Sequence, residues 1–304
     1  MSNPIDITKM HGIIPPIITP VDENENIDIP RLREHVNYII EHGVDGILAF
    51  GSNSEFYMFS DDEMLEATEA IIEEAAGRVP VIFGLGHIRT KRAVALAKRA
   101  AELPIDAISV LHPMFIQPTE EALEHHFTAI ANAVPDTFVF IYHNPGRCGY
   151  AMSNALISRL AHQVPNILGI KEASGDLGAV QRIRRLCPPD FYIWSGNDDE
   201  TVPICALGGK GVISVAANVV PAQMHQLVEL CLQNDFAAAG ELQVALKPLC
   251  DALFCEVNPI PVKTALNLMG WEAGPLRLPL CQPSEEHLQL LQSTLAEYGL
   301  LPES

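Results

Sequence analysis

The chain has 304 residues, a hydrophobic fraction of 48%, a charged fraction of 19% and a formal net charge of -19. Its 19 scattered Lys and Arg stand against 38 Asp and Glu, which argues against a nucleic-acid surface, because neutralising phosphates takes clustered cations. No uninterrupted apolar run approaches the roughly 18 residues of a membrane span, and "MSNPIDITKMHG" lacks the apolar core of a signal peptide, so a cytoplasmic protein is expected.

This length accommodates two ordinary domains or one α/β barrel of about 250 residues with an extension. No Gly/Ser linker or low-complexity tract marks a hinge, so one continuous body is expected. The seven cysteines are well separated, form no C-x-x-C pair and are odd in number, which points to reduced thiols and gives them no metal role.

Along the chain, short apolar runs alternate with amphipathic stretches, the signature of parallel strands linked by helices. The strand candidates are "GIIPPIIT" (12–19), "GILAFG" (46–51), "PVIFGLG" (80–86), "AISVLHP" (107–113), "FVFIYHNP" (138–145), "ILGIKEAS" (167–174), "FYIWSGND" (191–198) and "GVISVAAN" (211–218). Eight such strands close a barrel. Between them lie helical patterns such as Leu32, Val36, Ile39 and Ile40, and a helix start where Ser60 is followed three residues later by Glu63, a capping box before Met64.

After residue 220 the strands stop, and "PAQMHQLVELCLQ", "FAAAGELQVALKPLCDALFC", "PIPVKTALNLMG" and "SEEHLQLLQSTLAEYGLL" read as helices. The expected fold is therefore α/β, a (β/α)8 TIM barrel over residues 1–232 with a helical C-terminal domain over 233–304. A doubly wound open sheet is disfavoured, because the first strand is followed by "TPVDENENID" rather than a Gly-rich phosphate turn, and "GLGHIRT" has two glycines without a third.

Active sites of such barrels lie at the carboxyl ends of the strands. Here those ends read "GSNSE", "LHPMF", "YHNPGR", "IKEAS", "SGND" and "SVAAN", polar groups at one rim of an apolar core. Lys171 closes the sixth run, and inside a barrel mouth desolvation disfavours its ammonium form. A neutral amine there attacks a ketone or aldehyde, and the resulting iminium is an electron sink for making or breaking an adjacent C–C bond without a metal. The alternative is a lysine paired to Glu172 or snorkelling to the rim. Tyr142, on the fifth run, is either a proton relay for the carbinolamine or a hydrogen-bonded core tyrosine. "GSNSE" is either an anion cradle of outward N–H groups or a polar turn capping the next helix.

Seven segments in order, "GIIPPIITP", "GSNSE", "YHNPGR", "GIKEASGD", "SGNDDE", "GVISVAAN" and "NPIPVKTAL", resemble the dihydrodipicolinate synthase and N-acetylneuraminate lyase family of pyruvate-dependent class I aldolases. The resemblance implies a homotetramer, a dimer of dimers, that needs no cofactor because Lys171 forms the Schiff base with pyruvate, while Tyr142 shuttles protons and Ser52 supplies a hydroxyl. By family position, Ser52 and Asn53 hold the keto-acid carboxylate, and Gly196 and Ile213 line the pocket. Arg147 matches the arginine of the synthase branch and would fork onto the carboxylate of an aldehyde such as aspartate semialdehyde, although a loop arginine is also commonly a surface or interface charge.

Two departures stand out. Ser54 replaces the family glycine, and Met114 and Phe115 replace two tyrosines, the second of which crosses a subunit interface to complete a proton relay. A phenyl ring has no proton to pass. Two further readings therefore stay open: an aldolase or dehydratase of 2-keto-3-deoxy sugar acids, and a keto-acid-binding paralogue without catalysis. His112 and His143 are candidate alternative proton carriers, His125 and His126 cannot both face one site, and no His/Asp cluster has metal spacing. Lys263, Trp194 and Trp271 are read as structural.

Overall fold

The computed structural model describes residues 10–302. The N-terminal stretch read above for a signal peptide lies, through residue 9, outside the described residues. All eight expected strands form: β1 (Gly12–Ile13), β2 (Ile47–Ala49), β3 (Val81–Leu85), β4 (Ala107–Leu111), β5 (Phe138–His143), β6 (Ile167–Glu172), β7 (Tyr192–Ser195) and β8 (Gly211–Val212). Every pairing between these eight strands is parallel, in the order β1-β8-β7-β6-β5-β4-β3-β2.

The seam between β1 and β2 is closed by the Leu48 N–H donating to the Pro15 carbonyl at 2.9 Å and the Ile17 N–H donating to Leu48 at 3.1 Å. The first run of eight apolar-rich residues yields only two in regular strand, because Pro15 and Pro16 have no N–H to give the ladder. The eighth run is cut short as the chain turns into a 3-10 segment, Ala216–Asn218. Before that turn, the Ser214 N–H still reaches the Ile14 carbonyl at 3.1 Å.

Side chains of successive strand residues alternate between the barrel interior and the surrounding helices, which divides the core in two. Ile14, Leu48, Ile82, Ala107, Phe140, Trp194 and Ile213, one residue from or beside each of seven strands, pack with Met10 as a separate interior cluster. The larger cluster fills the space between the strands' outer faces and the helices and also takes in Leu111 and Tyr142. Gly169 on β6 belongs to the interior side, opposite Phe140, and a Cβ there would come within 2.8 Å of the Trp194 ring. That glycine makes room for the fully buried Trp194, whose structural reading holds.

The helix Asp61–Ala75 begins as its sequence requires. The Ser60 hydroxyl accepts the Glu63 N–H, the Glu63 carboxylate accepts the Ser60 N–H at 2.8 Å, and three acidic residues fill the first turn against the helix dipole. Met64, Ala67, Thr68, Ile71 and Ala75 then form its buried stripe. Beyond β8 come the helices Pro221–Leu232, Phe236–Ala252, Ile260–Leu268 and Glu285–Glu297, matching the four expected runs. All seven cysteines are free. Among the described residues no helix is long and apolar enough to cross a membrane.

Candidate active site

β5 and β6 run side by side in a register that pairs Tyr142 with Lys171. Tyr142 shares the interior face of Phe140, and Lys171 that of Gly169, so both side chains enter the barrel just above the interior apolar cluster. Lys171 is 3% exposed, and its Nζ lies over the Tyr142 ring, 4.2 Å from the centroid. Glu172 points to the opposite face, where it accepts from His143 Nδ1 at 2.8 Å and from the Ser174 N–H at 2.8 Å. Lys171 is thus neither paired to Glu172 nor at the rim, and among the described residues no carboxylate lies within ion-pair distance of its Nζ.

The phenol of Tyr142 is set by opposing influences. Burial pushes it up, but the Lys171 charge, a 2.9 Å hydrogen bond from Asn144 Nδ2, the Arg147 charge and the Ser52 hydroxyl together outweigh burial and leave it below the usual tyrosine range. In front of the ring opens a cavity of about 270 Å³ lined by Ser52, Phe56, Tyr57, Leu111, Met114, Tyr142 and Arg147. Three of the expected site residues therefore converge on one space, with Lys171 behind the tyrosine.

Ser52 and Asn53 open a 3-10 turn, Ser52–Ser54, so their N–H groups have no partner within the turn, which is the arrangement an anion cradle requires. Ser54 does not disturb it. The left-handed position is the next residue, Glu55, at φ 56°, and the Ser54 hydroxyl donates to the Ile17 carbonyl. The Asn53 side chain turns away from the cavity and accepts from Asn258 Nδ2. Arg147 belongs to the short helix Pro145–Cys148, and its guanidinium donates to the Asn258 carbonyl at 2.8 Å while still lining the cavity.

Two expected residues fall elsewhere. Ile213 packs in the barrel interior, and Gly196 lies against β6, donating its N–H to the Glu172 carbonyl at 2.7 Å. A Cβ at Gly196 would sit 2.5 Å from that of Ala173, so close packing explains the glycine. Neither lines the 270 Å³ cavity. His112 and His143 face away from the interior, because they follow inward-facing Leu111 and Tyr142 by one residue. His143 Nε2 accepts the Met152 N–H at 3.1 Å, so Nδ1 carries the proton it donates to Glu172, and this buried pair is held away from the cavity. His126 binds the Thr90 hydroxyl at 2.9 Å on the helix Glu120–Asn132. Among the described residues no group of three His, Cys, Asp or Glu side chains could hold a metal ion.

Sequence reading missed the residues that hold the "GSNSE" loop. Glu55 is fully buried and accepts from Lys263 Nζ at 3.0 Å and Arg277 Nε at 3.2 Å. The Arg277 guanidinium also stacks 3.9 Å over the Phe59 ring. With Asn258, these contacts fasten the C-terminal part of the chain onto the rim; Lys263 is structural as expected, with a partner its own segment did not disclose.

The model of the Dihydrodipicolinate synthetase family matches residues 9–298. The chain is 42% identical to 4-hydroxy-tetrahydrodipicolinate synthase of Thermoanaerobacter sp. (strain X514) over 288 residues, covering 95% of this chain and 96% of the relative. It is 40% identical to the protein of the same name from Methanocaldococcus jannaschii over 290 residues, covering 95% and 99%. Among solved structures, the dihydrodipicolinate synthase of Acinetobacter baumannii, described as complexed with pyruvate, superposes with a TM-score of 0.92 at 35% identity, covering 96% of this chain and 99% of that one.

Proposed function

We propose, from the premise that this chain belongs to the Dihydrodipicolinate synthetase family and is a lyase of the pyruvate-dependent class I aldolase type, that Lys171 captures pyruvate as an iminium and joins it to an aldehyde bearing a carboxylate. The observation that carries this reading is the buried Lys171 amine, free of any ion pair among the described residues and stacked 4.2 Å over a tyrosine whose phenol is more acidic than usual. In it, the Lys171 amine adds to the pyruvate carbonyl, Tyr142 delivers a proton to the departing hydroxyl, and loss of a methyl proton gives the enamine that attacks the aldehyde. Neither the lysine nor the tyrosine needs a cofactor for this.

The N–H groups of Ser52 and Asn53 support a role in holding the keto-acid carboxylate, and Arg147, lining the cavity, supports selection of an anionic second substrate. A second reading, cleavage or dehydration of a 2-keto-3-deoxy sugar acid, is favoured by one observation: the side chains at 114 and 115 carry no hydroxyl, and Phe115 stands 93% exposed beside the mouth. That exposed ring, with Ile116, also supports a further copy of the chain covering this edge, as in a homotetramer. Gly196 and Ile213 contribute in this reading by shaping the barrel beneath the site. A cytoplasmic location fits a biosynthetic enzyme of this kind. Assaying pyruvate with aspartate semialdehyde against a panel of 2-keto-3-deoxy acids separates the two substrate readings, and inertness toward all of them would leave only a keto-acid-binding protein.

A further inference from the structure

Asn144 joins the two halves of the site through a single carboxamide. Its Oδ1 accepts the Arg147 N–H at 3.0 Å, capping the short helix Pro145–Cys148. A backbone N–H can only donate, so this contact fixes which end of the amide is oxygen and leaves Nδ2 facing the Tyr142 phenol at 2.9 Å. The Asn144 backbone is held in turn, because its own N–H donates to His112 Nε2 at 3.2 Å. His112 can accept only while neutral, and burial, then the neighbouring His143, push its imidazole down to about 4.

We infer that Asn144 is the positioning residue for Tyr142: by donating to the phenol oxygen it turns the O–H toward Ser52 and the cavity that both residues line. The inference rests on the functional reading above and adds to it the device that orients and acidifies the tyrosine in this chain. A donor on the phenol oxygen stabilises the phenolate, so the contact eases proton release as well as aiming it. The charged groups facing the phenol are Lys171 from β6 and Arg147 from the short helix; Ser52 from the 3-10 turn contributes a neutral hydroxyl, and β4 presents apolar Leu111 in register.

The test compares Asn144→Ser, which keeps a helix-capping oxygen but is too short to reach the phenol, with Asn144→Asp, which keeps the cap and replaces the donor by an acceptor. Tyrosinate absorbance, taken as a difference from the matching Tyr142→Phe protein, isolates the Tyr142 titration. The midpoint should rise by about one pH unit in the Ser variant and further in the Asp variant, with the corresponding limb of the kcat–pH profile moving alongside and kcat falling about tenfold or more. An unchanged midpoint and limb in Asn144→Ser, even with lower activity, would reduce Asn144 to a helix cap and overturn the inference. Borohydride trapping of pyruvate on the wild-type protein is run in parallel: absence of an adduct condemns the functional reading, whereas the titration reads the Asn144–Tyr142 contact independently of it.

Discussion

Lys171 and Tyr142 are cross-strand partners on β6 and β5, and the lysine nitrogen stands 4.2 Å from the centre of the tyrosine ring. Parallel register places their side chains on the same face at the same height, so the distance follows from the backbone pairing rather than from a flexible loop. Tyr142 is therefore expected to act on the Lys171 adduct without a large rearrangement. Tyr142→Phe keeps the ring against the lysine and removes only the hydroxyl. It should lower kcat by about 10²- to 10⁴-fold, while a borohydride-trapped pyruvate adduct still accumulates, more slowly. Steady-state kinetics beside trapping kinetics check this, and a kcat within twofold of wild type would remove the tyrosine from the chemistry.

Arg147 should decide the second substrate. Its guanidinium lines the cavity with one hydrogen bond committed to the Asn258 carbonyl, which leaves other N–H groups for a carboxylate. Arg147→Ala should cut kcat/KM for an aldehyde bearing a carboxylate by roughly 10- to 100-fold, mostly through KM, and leave pyruvate binding nearly unchanged. Equal losses for charged and uncharged aldehydes would show that the arginine only supports the loop.

The buried group of Glu55, Lys263 and Arg277 makes a stability prediction. Removing one partner strands the others in a buried site, at about 3–5 kcal/mol. Glu55→Gln leaves two cations facing a neutral amide and should be more damaging than Lys263→Met, which keeps the Glu55–Arg277 pair. Urea unfolding gives both values. The reverse order would mean that the apolar surroundings of Lys263, rather than the carboxylate, set the cost.

Acid should destabilise the fold through its buried histidines. His35 is 2% exposed, and burial, only partly offset by the 3.1 Å contact with Asn218, pushes its imidazole down to about 4. Above pH 6.5 the ring is neutral both folded and unfolded, and it has no effect on the pH dependence. As pH falls from 6.5 toward 4 the unfolded chain takes up a proton that the folded chain refuses, so stability is lost across that window. On going from pH 7.5 to 5, wild type should lose about 2 kcal/mol more than His35→Gln, from roughly 1.4 kcal/mol per pH unit. Equal losses in the two proteins would show that His35 is not excluded from protonation.

Much of this was legible in the sequence because it is local or periodic. The eight strands and the Ser60 capping box each depend on residues within a few positions of one another, and Lys171 stood out because an ammonium in an apolar strand demands a reason. Strand parity alone would have sent His112, His143 and Glu172 to the outer face, since each follows an inward residue by one step. What could not be read depends on distant segments meeting. Asn258 and Asn53 are 205 positions apart, and Glu55 and Arg277 are 222 apart, with nothing in either segment to name its partner. Asn144 was passed over for a different reason: one residue before a proline it reads as a turn former, and only the geometry reveals that its amide spans Arg147 and Tyr142.

A covalent role for the Lys171 amine is read from the intact mass of the protein after incubation with pyruvate and sodium borohydride. One reduced pyruvate adduct per chain is expected, localised by peptide mapping to Lys171 and absent from Lys171→Ala. An unmodified wild-type mass under conditions where pyruvate binding is measurable, or an adduct that persists in Lys171→Ala, would contradict it.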